Sequence, residues 1–418
     1  MTRLAIDGGE AFRKTPFPMR TPYGEEEVEM AAAAIRSQNL FQWSGHLVRE
    51  FEEKFAALYG VAQAASSTSG TAAIHIAVGS INPNPGDEMI TAPITDLGSV
   101  TPILQQNAVP VFADIDPETF NMDPADIERK ITDRTRAIIV VHLFGNACDM
   151  DGIMDVARRH RIPVIEDCSQ SHATYYKGRL LGTIGDIGCF SLQGSKHMTT
   201  GDGGMTITNS ETYWERMRYF VDKGFQRKGW GPRAYLFLAP NYRMNELTAA
   251  VGIPQLKKVR GVVERRMALG NLLTKLLVDV PGVEGAAVTP GSEHGYWTYP
   301  LRVTDFDCVR FGEALTEEGV ACSPGYIGKP IYMCTEALVA GKTYGDSQFP
   351  FGSPYTSRKL EYETGTCPVT DRALEHLITF SFNENYEEGN IRDIAGAIRK
   401  VAEGLGAGEG SRPRAVKA

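Results

Sequence analysis

No apolar run in the sequence approaches the roughly 20 residues that a membrane-crossing helix needs, which excludes an integral helical membrane protein. Positive charge is also scarce. Its 43 basic against 51 acidic side chains leave a formal net charge of -8, and no Lys/Arg cluster offsets that balance. A general nucleic-acid binder, which must neutralise phosphates, is therefore excluded, and a small molecule is the expected partner. The 7 cysteines (Cys148, Cys168, Cys189, Cys308, Cys322, Cys334 and Cys367) are odd in number and lack paired spacing, so neither a zinc ribbon nor a disulfide framework is expected. They read as small buried apolar residues suited to a reducing compartment, with Cys334 in the polar segment KPIYMCTEAL as a candidate for reactivity. The N-terminus MTRLAIDGGEAFRK has no apolar core behind its basic residues, and the expected location is the cytoplasm. No HExxH and no GxSxG occurs, which removes metal-hydrolase and serine-hydrolase readings. No internal repeat is seen.

What is present is an ordinary soluble composition. With 418 residues, 42% hydrophobic and 22% charged, the chain should fold as two or three packed domains. Between about 60 and 210, short β-branched runs alternate with helical patterns, the signature of parallel strands joined by crossover helices and hence of an α/β fold. Strands are expected at 87–93, 109–115, 136–144, 162–168, 186–192 and 204–209. Several are apolar on both faces, as buried parallel strands are. From about 245 a helix interrupted near Pro254 should carry the chain out of the large domain. The expected division is a large domain with an N-terminal arm over 1–255, a smaller α+β domain over 256–403, and a Gly-rich, disordered tail over 404–418. The small domain should carry a small mixed sheet with strands at 296–303 and 377–383 and a closing helix. The tail's GLGAGEG lacks the flanking strand and helix of a nucleotide-binding loop.

Four distant stretches carry candidate chemistry. In SSTSGTAAIHIA (66–77), Ser69, Gly70 and Thr71 open a helix whose free N–H groups suit a phosphate, although an N-cap would use the same residues. In VIEDCSQSH (164–172), a strand ends in Glu166 and Asp167, with Gln170 and His172 beyond; Asp167 lies where open α/β sheets bind ligands, or else caps the next turn. In CFSLQGSKHMTTGDGGM (189–205), Ser191 ends a strand, Lys196 follows, and glycines let the backbone turn back. A lysine amine, an acid and phosphate donors are the three requirements of pyridoxal 5′-phosphate: a Schiff-base partner, a guard for the pyridine proton, and an anchor. The fourth stretch, APNYRMNELTAAVGIPQL (239–256), groups Asn241, Arg243 and Asn245 ahead of a helix.

The ordered series TSGTAAIH, VHLFGNACDMDGI, VIEDCSQSHATYYKGRLLGTIGDIGCFSLQGSKHMTTGDGG and NYRMNELTAAVGIPQL resembles the DegT/DnrJ/EryC1/StrS family of sugar aminotransferases across roughly residues 10 to 400. The resemblance implies aminotransferase fold type I, pyridoxal 5′-phosphate as cofactor, and a homodimer with shared active sites. It matches Lys196 to the Schiff-base lysine and Asp167 to the acid at the pyridine nitrogen. Gln170 matches the amide near the phenolic oxygen, and Gly70, Thr71, Ala72 and Ser191 fall at the phosphate. Asn241 matches an asparagine lent by the neighbouring subunit. The chain departs from the family in two places. Asp96 in APITDLGS stands where members commonly stack an aromatic or histidine on the ring, so other side chains cover the ring or Asp96 faces the substrate. GDGG replaces the usual GEGG, with Asp202 one methylene shorter.

The implied reaction moves an amino group from glutamate or glutamine to a keto-sugar, nucleotide-linked or a cyclitol, in amino-sugar or antibiotic biosynthesis, with Lys196 shuttling the proton. His172, Arg243 and Asp96 are candidate substrate contacts, together with Tyr296 and Trp297. Two rivals share the fold. A pyridoxamine-type sugar dehydratase would carry histidine in place of Lys196, and a non-catalytic sensor would explain Asp96.

Overall fold

Residues 137–140 read Ala-Ile-Ile-Val, and their side chains divide strictly by parity: Ile138 and Val140 enter one apolar core, Ala137 and Ile139 another. That period of two, apolar on both sides, makes a strand covered by helices on each face. In the computed structural model, which describes residues 3–227, 233–352, 354–356 and 360–406, seven such strands form the central sheet. They are β1 (Gln63–Ser67), β2 (Glu88–Thr91), β3 (Val109–Phe112), β4 (Thr135–Val141), β5 (Val164–Asp167), β6 (Ile187–Ser191) and β7 (Gly204–Thr208), in the order β1-β7-β6-β5-β4-β2-β3. Pairing is parallel from β3 through to β6, and β7 runs antiparallel to both of its neighbours. Helices Gly70–Ile81 and Glu211–Phe220 cover one face. Leu47–Tyr59, Met150–His160 and the first half of Glu246–Leu277 cover the other. The carboxyl ends of β5 and β6 therefore present Asp167 and Ser191 on one edge.

The helix Glu246–Leu277 runs unbroken for 32 residues with Pro254 inside it, where an interruption was expected. Proline removes one N–H and crowds the preceding turn. Here the loss is outweighed by packing, since this stretch lies against helices Glu25–Arg36 and Leu47–Tyr59 and buries Ala250, Ile253 and Pro254. Val259 and Val263 still belong to the large core, whereas Leu269, Leu273 and Leu277 belong to that of the small domain.

The small sheet comprises β8 (Val283–Glu284), β9 (Tyr299–Val303), β10 (Ser323–Pro324) and β11 (Leu377–Phe380), ordered β8-β9-β11-β10. It is entirely antiparallel, not mixed as expected, because no crossover helix joins neighbouring strands in one direction. Helices Cys308–Glu317 and Glu388–Gly406 and the second half of the long helix close it. Of the expected tail, residues 404–406 complete the last helix and the remainder lies outside the described residues. No helix among the described residues is long and apolar enough to cross a membrane.

Candidate active site

The site forms at the carboxyl edge of the central sheet, where ligands of open α/β sheets collect. Successive residues of β5 point to opposite sides, and so the two acids at its end have different work. Glu166, wholly buried, accepts N–H bonds from Gly182 (2.8 Å), Ile184 (2.7 Å) and Gly185 (2.6 Å), with His142 Nε2 at 3.1 Å. His142 Nδ1 accepts from Cys148 N–H (3.1 Å), which places the ring proton on Nε2, toward Glu166. Although His142, Glu166 and Cys168 bring ligand atoms within 4.8 Å of one another, the carboxylate and imidazole are committed to this scaffold.

Asp167 faces the site. Its Oδ2 accepts from Ser99 Oγ (2.7 Å) and its Oδ1 from Ser169 N–H (3.0 Å). It is 5% exposed, and among the described residues no cation forms an ion pair with it. A carboxylate so buried calls for a positive partner. A ring nitrogen that carries a proton would supply one.

Lys196 lies on the partly buried turn after β6, its Nζ 3.9 Å from the ring centroid of Trp297. Burial lowers its pKa to about 8, against the opposing pull of Asp167 and then Asp96. The amine is therefore far more often neutral near pH 7 to 8 than an ordinary lysine. Trp297 Nε1 donates to Ser195 O (3.0 Å), which ties the indole to the same turn. From the N-terminal arm, Arg20 donates to Gly194 O and His197 O (2.9 Å each) and pairs with Glu384 (2.8 Å), which also holds Arg266 (2.9 Å). Although burial works against it, Arg266 and Arg20 keep the Glu384 carboxyl below its usual range.

The N-terminus of helix Gly70–Ile81 completes the site. Ser69 caps it, its Oγ accepting from Ala72 N–H (3.0 Å). Ala72, expected at the phosphate, has thus given its N–H to the cap. The N–H groups of Gly70 and Thr71 lie too early in the helix for intrahelical acceptors and are the ones available. A Cβ on Gly70 would lie 2.5 Å from Ser191 Cβ, so only glycine lets this helix end abut Ser191. A Cβ on Gly204, the last residue of GDGG, would meet Ser69 O at 2.1 Å, so here too glycine permits the approach. Two N–H groups, the Thr71 and Ser191 hydroxyls and the helix dipole together make an anion cradle.

Gln170 is buried, with Oε1 accepting from Phe144 N–H (2.6 Å), and its side chain lies beside Tyr326. Burial and then the Asp96 carboxylate push the Tyr326 phenol up to about 12. Tyr326, Arg20 and Glu384 carry no signal in their own stretches of sequence, because they reach the site from the small domain and the arm. Asp96 is exposed and caps the 3-10 turn Leu97–Ser99.

Three expected contacts fall elsewhere. His172 has no exposed surface: Nε2 donates to Ser191 O (2.8 Å), and burial lowers its pKa to about 4, so it is a neutral strut behind Ser191 that cannot touch substrate. Tyr296 is 1% exposed and stacks in the small-domain core between His294 and Tyr299. Arg243 is paired with Asp222, alongside Arg227 and the exposed aromatics Phe41 and Trp43. Asn241 is exposed in this second cluster, bridged to Asp222, and shares no hydrogen bond with the lysine site among the described residues. Of the cysteines, Cys334 is the exposed one and Cys322 is half-buried.

Taken together, these groups fit a small molecule with a phosphate, a protonated ring nitrogen and an aldehyde that a lysine can hold. Known proteins point the same way. The sequence profile of the DegT/DnrJ/EryC1/StrS aminotransferase family matches residues 22–399. A protein of Micromonospora echinospora assigned as L-glutamine:3-amino-2,3-dideoxy-scyllo-inosose aminotransferase is 36% identical, over 97% of this chain and 98% of its own length. The L-glutamine:2-deoxy-scyllo-inosose aminotransferase of Streptoalloteichus tenebrarius is 33% identical, over 95% and 97%. Among solved structures, an aminotransferase from Psychrobacter cryohalolentis superposes with a TM-score of 0.81 at 28% identity, covering 94% of this chain and 99% of that one.

Proposed function

The chain belongs to the DegT/DnrJ/EryC1/StrS aminotransferase family, and on that premise we propose that it moves an amino group from glutamine or glutamate to a keto-cyclitol or related keto-sugar, using pyridoxal 5′-phosphate. The reading rests above all on one observation: Lys196, with its lowered pKa, lies near the buried Asp167, which forms no ion pair among the described residues. The glutamine-dependent cyclitol relatives favour that donor and that acceptor class.

When bound, the cofactor supplies an aldehyde that takes up the donor's amine and a protonated ring that draws off the electron pair left by C–H cleavage. Gly70 and Thr71 N–H, with the Thr71 and Ser191 hydroxyls, would hold its phosphate. Asp167, oriented by Ser99 and Ser169, would hold the proton on the ring nitrogen. Gln170, fixed through Phe144 N–H, would meet the phenolic oxygen. Lys196 Nζ would hold the aldehyde. The Lys196 amine would take the proton from the donor's Cα and, in the second half, deliver one to the acceptor's carbonyl carbon. Its lowered pKa makes the neutral amine available as that base near neutral pH.

We further propose a homodimer in the cytoplasm. The exposed Asn241, beside the exposed Phe41 and Trp43, then reaches the phosphate of the partner's site. The domain division at residues 255 and 256 belongs to the same proposal, with Ala72 as part of the cradle's backbone.

The test is spectroscopic. The purified protein should show the visible band of a lysine-bound cofactor, and glutamine or glutamate should bleach it. Failure of borohydride to fix the cofactor on Lys196 would sink the cofactor assignment. A trapped cofactor that neither donor bleaches would sink the transamination reading alone.

A further inference from the structure

Lys196 sits on a turn that its own neighbour fastens to the small domain's chain. His197 is 1% exposed, and its Nε2 donates to Gly295 O at 2.8 Å. Glycine is needed at 295 for the approach: a Cβ there would lie 2.8 Å from Thr174 Oγ1 and 3.5 Å from His197 Nε2. Two residues on, Trp297 brings the centroid of its ring to 3.9 Å from Lys196 Nζ and donates its indole N–H to Ser195 O. The stretches 195–197 and 295–297 are therefore joined at both ends, by an imidazole and by an indole.

Each stretch is also anchored by its backbone. Gly295 N–H donates to Gly145 O (2.7 Å) and Trp297 N–H to Phe144 O (2.9 Å), which ties 295–297 to the residues after β4. Glu384 gathers Arg20 and Arg266, and these reach carbonyls on the two sides of the joint, Arg20 at His197 O (2.9 Å) and Arg266 at Trp297 O (3.5 Å). Burial, and then the nearby Arg266, hold the His197 pKa well below its usual value. The neutral ring has one N–H and gives it to Gly295, while its Nδ1 has no partner among the described residues. Phenylalanine would fill the same space and bury no unpaired nitrogen, so stability alone does not account for the histidine.

We propose that His197 and Trp297 are positioning residues for Lys196: the imidazole locks the lysine turn to Gly295, and the indole alongside holds the amine in one place while it is not bonded to the cofactor. This rests on the cofactor reading above. An amine that captures an aldehyde and later works as a base gains from waiting in one place, whereas an unheld lysine spreads over many rotamers.

His197→Phe keeps the bulk of the ring and removes its N–H, and His197→Gln returns a donor. The first arm needs no cofactor. Tryptophan emission of the apoprotein should carry a step between about pH 7 and 9, as the amine beside the indole loses its proton under the pull of Asp167 and Asp96, and Lys196→Met and Trp297→Phe should each abolish it. The step should shrink at least about three-fold in His197→Phe and return in His197→Gln. Its absence from wild type, or its full size in His197→Phe, overturns the proposal. The second arm compares two forms of the cofactor. Pyridoxamine 5′-phosphate has the phosphate and the ring but no aldehyde, so its Kd should change by less than about two-fold in His197→Phe. Borohydride-fixed capture of pyridoxal 5′-phosphate on Lys196 should slow at least about ten-fold and recover in His197→Gln, and Trp297→Phe should show the same split. Equal loss of both, as a purely structural histidine would give, or unchanged capture, overturns the proposal. If wild type binds neither form while the emission step behaves as stated, the cofactor reading fails and the placement of the lysine stands.

Discussion

The amine of Lys196 lies 3.9 Å from the ring centroid of Trp297, and the indole N–H of Trp297 donates back to the carbonyl of Ser195, the residue before that lysine. The indole thus holds both the charge and the backbone of the turn. A cation in this position interacts favourably with the ring by about 0.5–2 kcal/mol. Attachment of Lys196 to a cofactor would replace that free ammonium beside the indole. Addition of pyridoxal 5′-phosphate to the apoprotein should therefore change tryptophan fluorescence, and Trp297→Phe should remove most of the change. A signal of equal size in the variant would mean that another tryptophan reports the event.

The lysine's lowered pKa sets a pH window. An ordinary lysine loses its proton near 10.5, and this one near 8. The rate of cofactor capture by the apoprotein should rise through about pH 8, and Asp96→Asn, which removes one anion, should shift the midpoint lower. A midpoint near 10 would contradict the burial argument. The same shift acts on stability: between pH 8 and 10.5 the unfolded chain binds the extra proton, so stability gains with rising pH. Lys196→Met should therefore be more stable than wild type at pH 7, by at most about 3 kcal/mol, with the gap closing toward pH 10.5.

Asp167→Asn keeps the size of the side chain and an acceptor for Ser99 while removing the charge. Cofactor should still be trapped on Lys196 by borohydride, and turnover with glutamine should fall by about a hundred-fold or more. Equal loss of trapping and turnover would instead assign Asp167 to the fold.

Gly204→Ala puts a methyl group 2.1 Å from the carbonyl of Ser69, against backbone that cannot rotate away. The strain of about 1–3 kcal/mol should appear as a lower Tm and a weaker Kd for the cofactor, because the displaced segment is the cap of the cradle. Gly60→Ala, with open space at the methyl position and φ of 65°, should cost stability but leave the cofactor Kd unchanged.

Glu384 pairs with two arginines, and Arg266 is buried. Glu384→Ala leaves that guanidinium without its anion and should cost about 3–5 kcal/mol. Glu384→Gln, which keeps hydrogen-bond acceptance, should cost less but still loosen Arg20 from the lysine turn. The expected readout is faster cofactor loss in both variants.

The sheet was legible in the sequence where it is made of β-branched runs. Strands β2 to β7 lie within a few residues of their expected positions, because alternating apolar side chains serve two cores. Strand β1, Gln-Ala-Ala-Ser-Ser, carried no such pattern. It is a strand because its small residues let helices pack closely against it and because it pairs with β7. Lys196, Asp167 and Thr71 could be found because each sits in a motif with its own local reason. Tyr326, Arg20 and Glu384 could not, since nothing near them in sequence sets them apart from surface residues. The neighbours Tyr296 and Trp297 show the limit most sharply. Both looked like pocket residues, yet Tyr296, at φ 46°, turns its ring into the small-domain core while Trp297 meets the lysine.

The helix Glu246–Leu277, at about 1.5 Å per residue, is a rod of nearly 50 Å that is rooted in the hydrophobic cores of both domains. A jaw-like swing of one domain would have to flex that rod and tear apolar side chains from one socket or the other. The sheet edge that presents Asp167 and Ser191 and the elements packed on the far half of the rod are therefore held in register by one continuous helix.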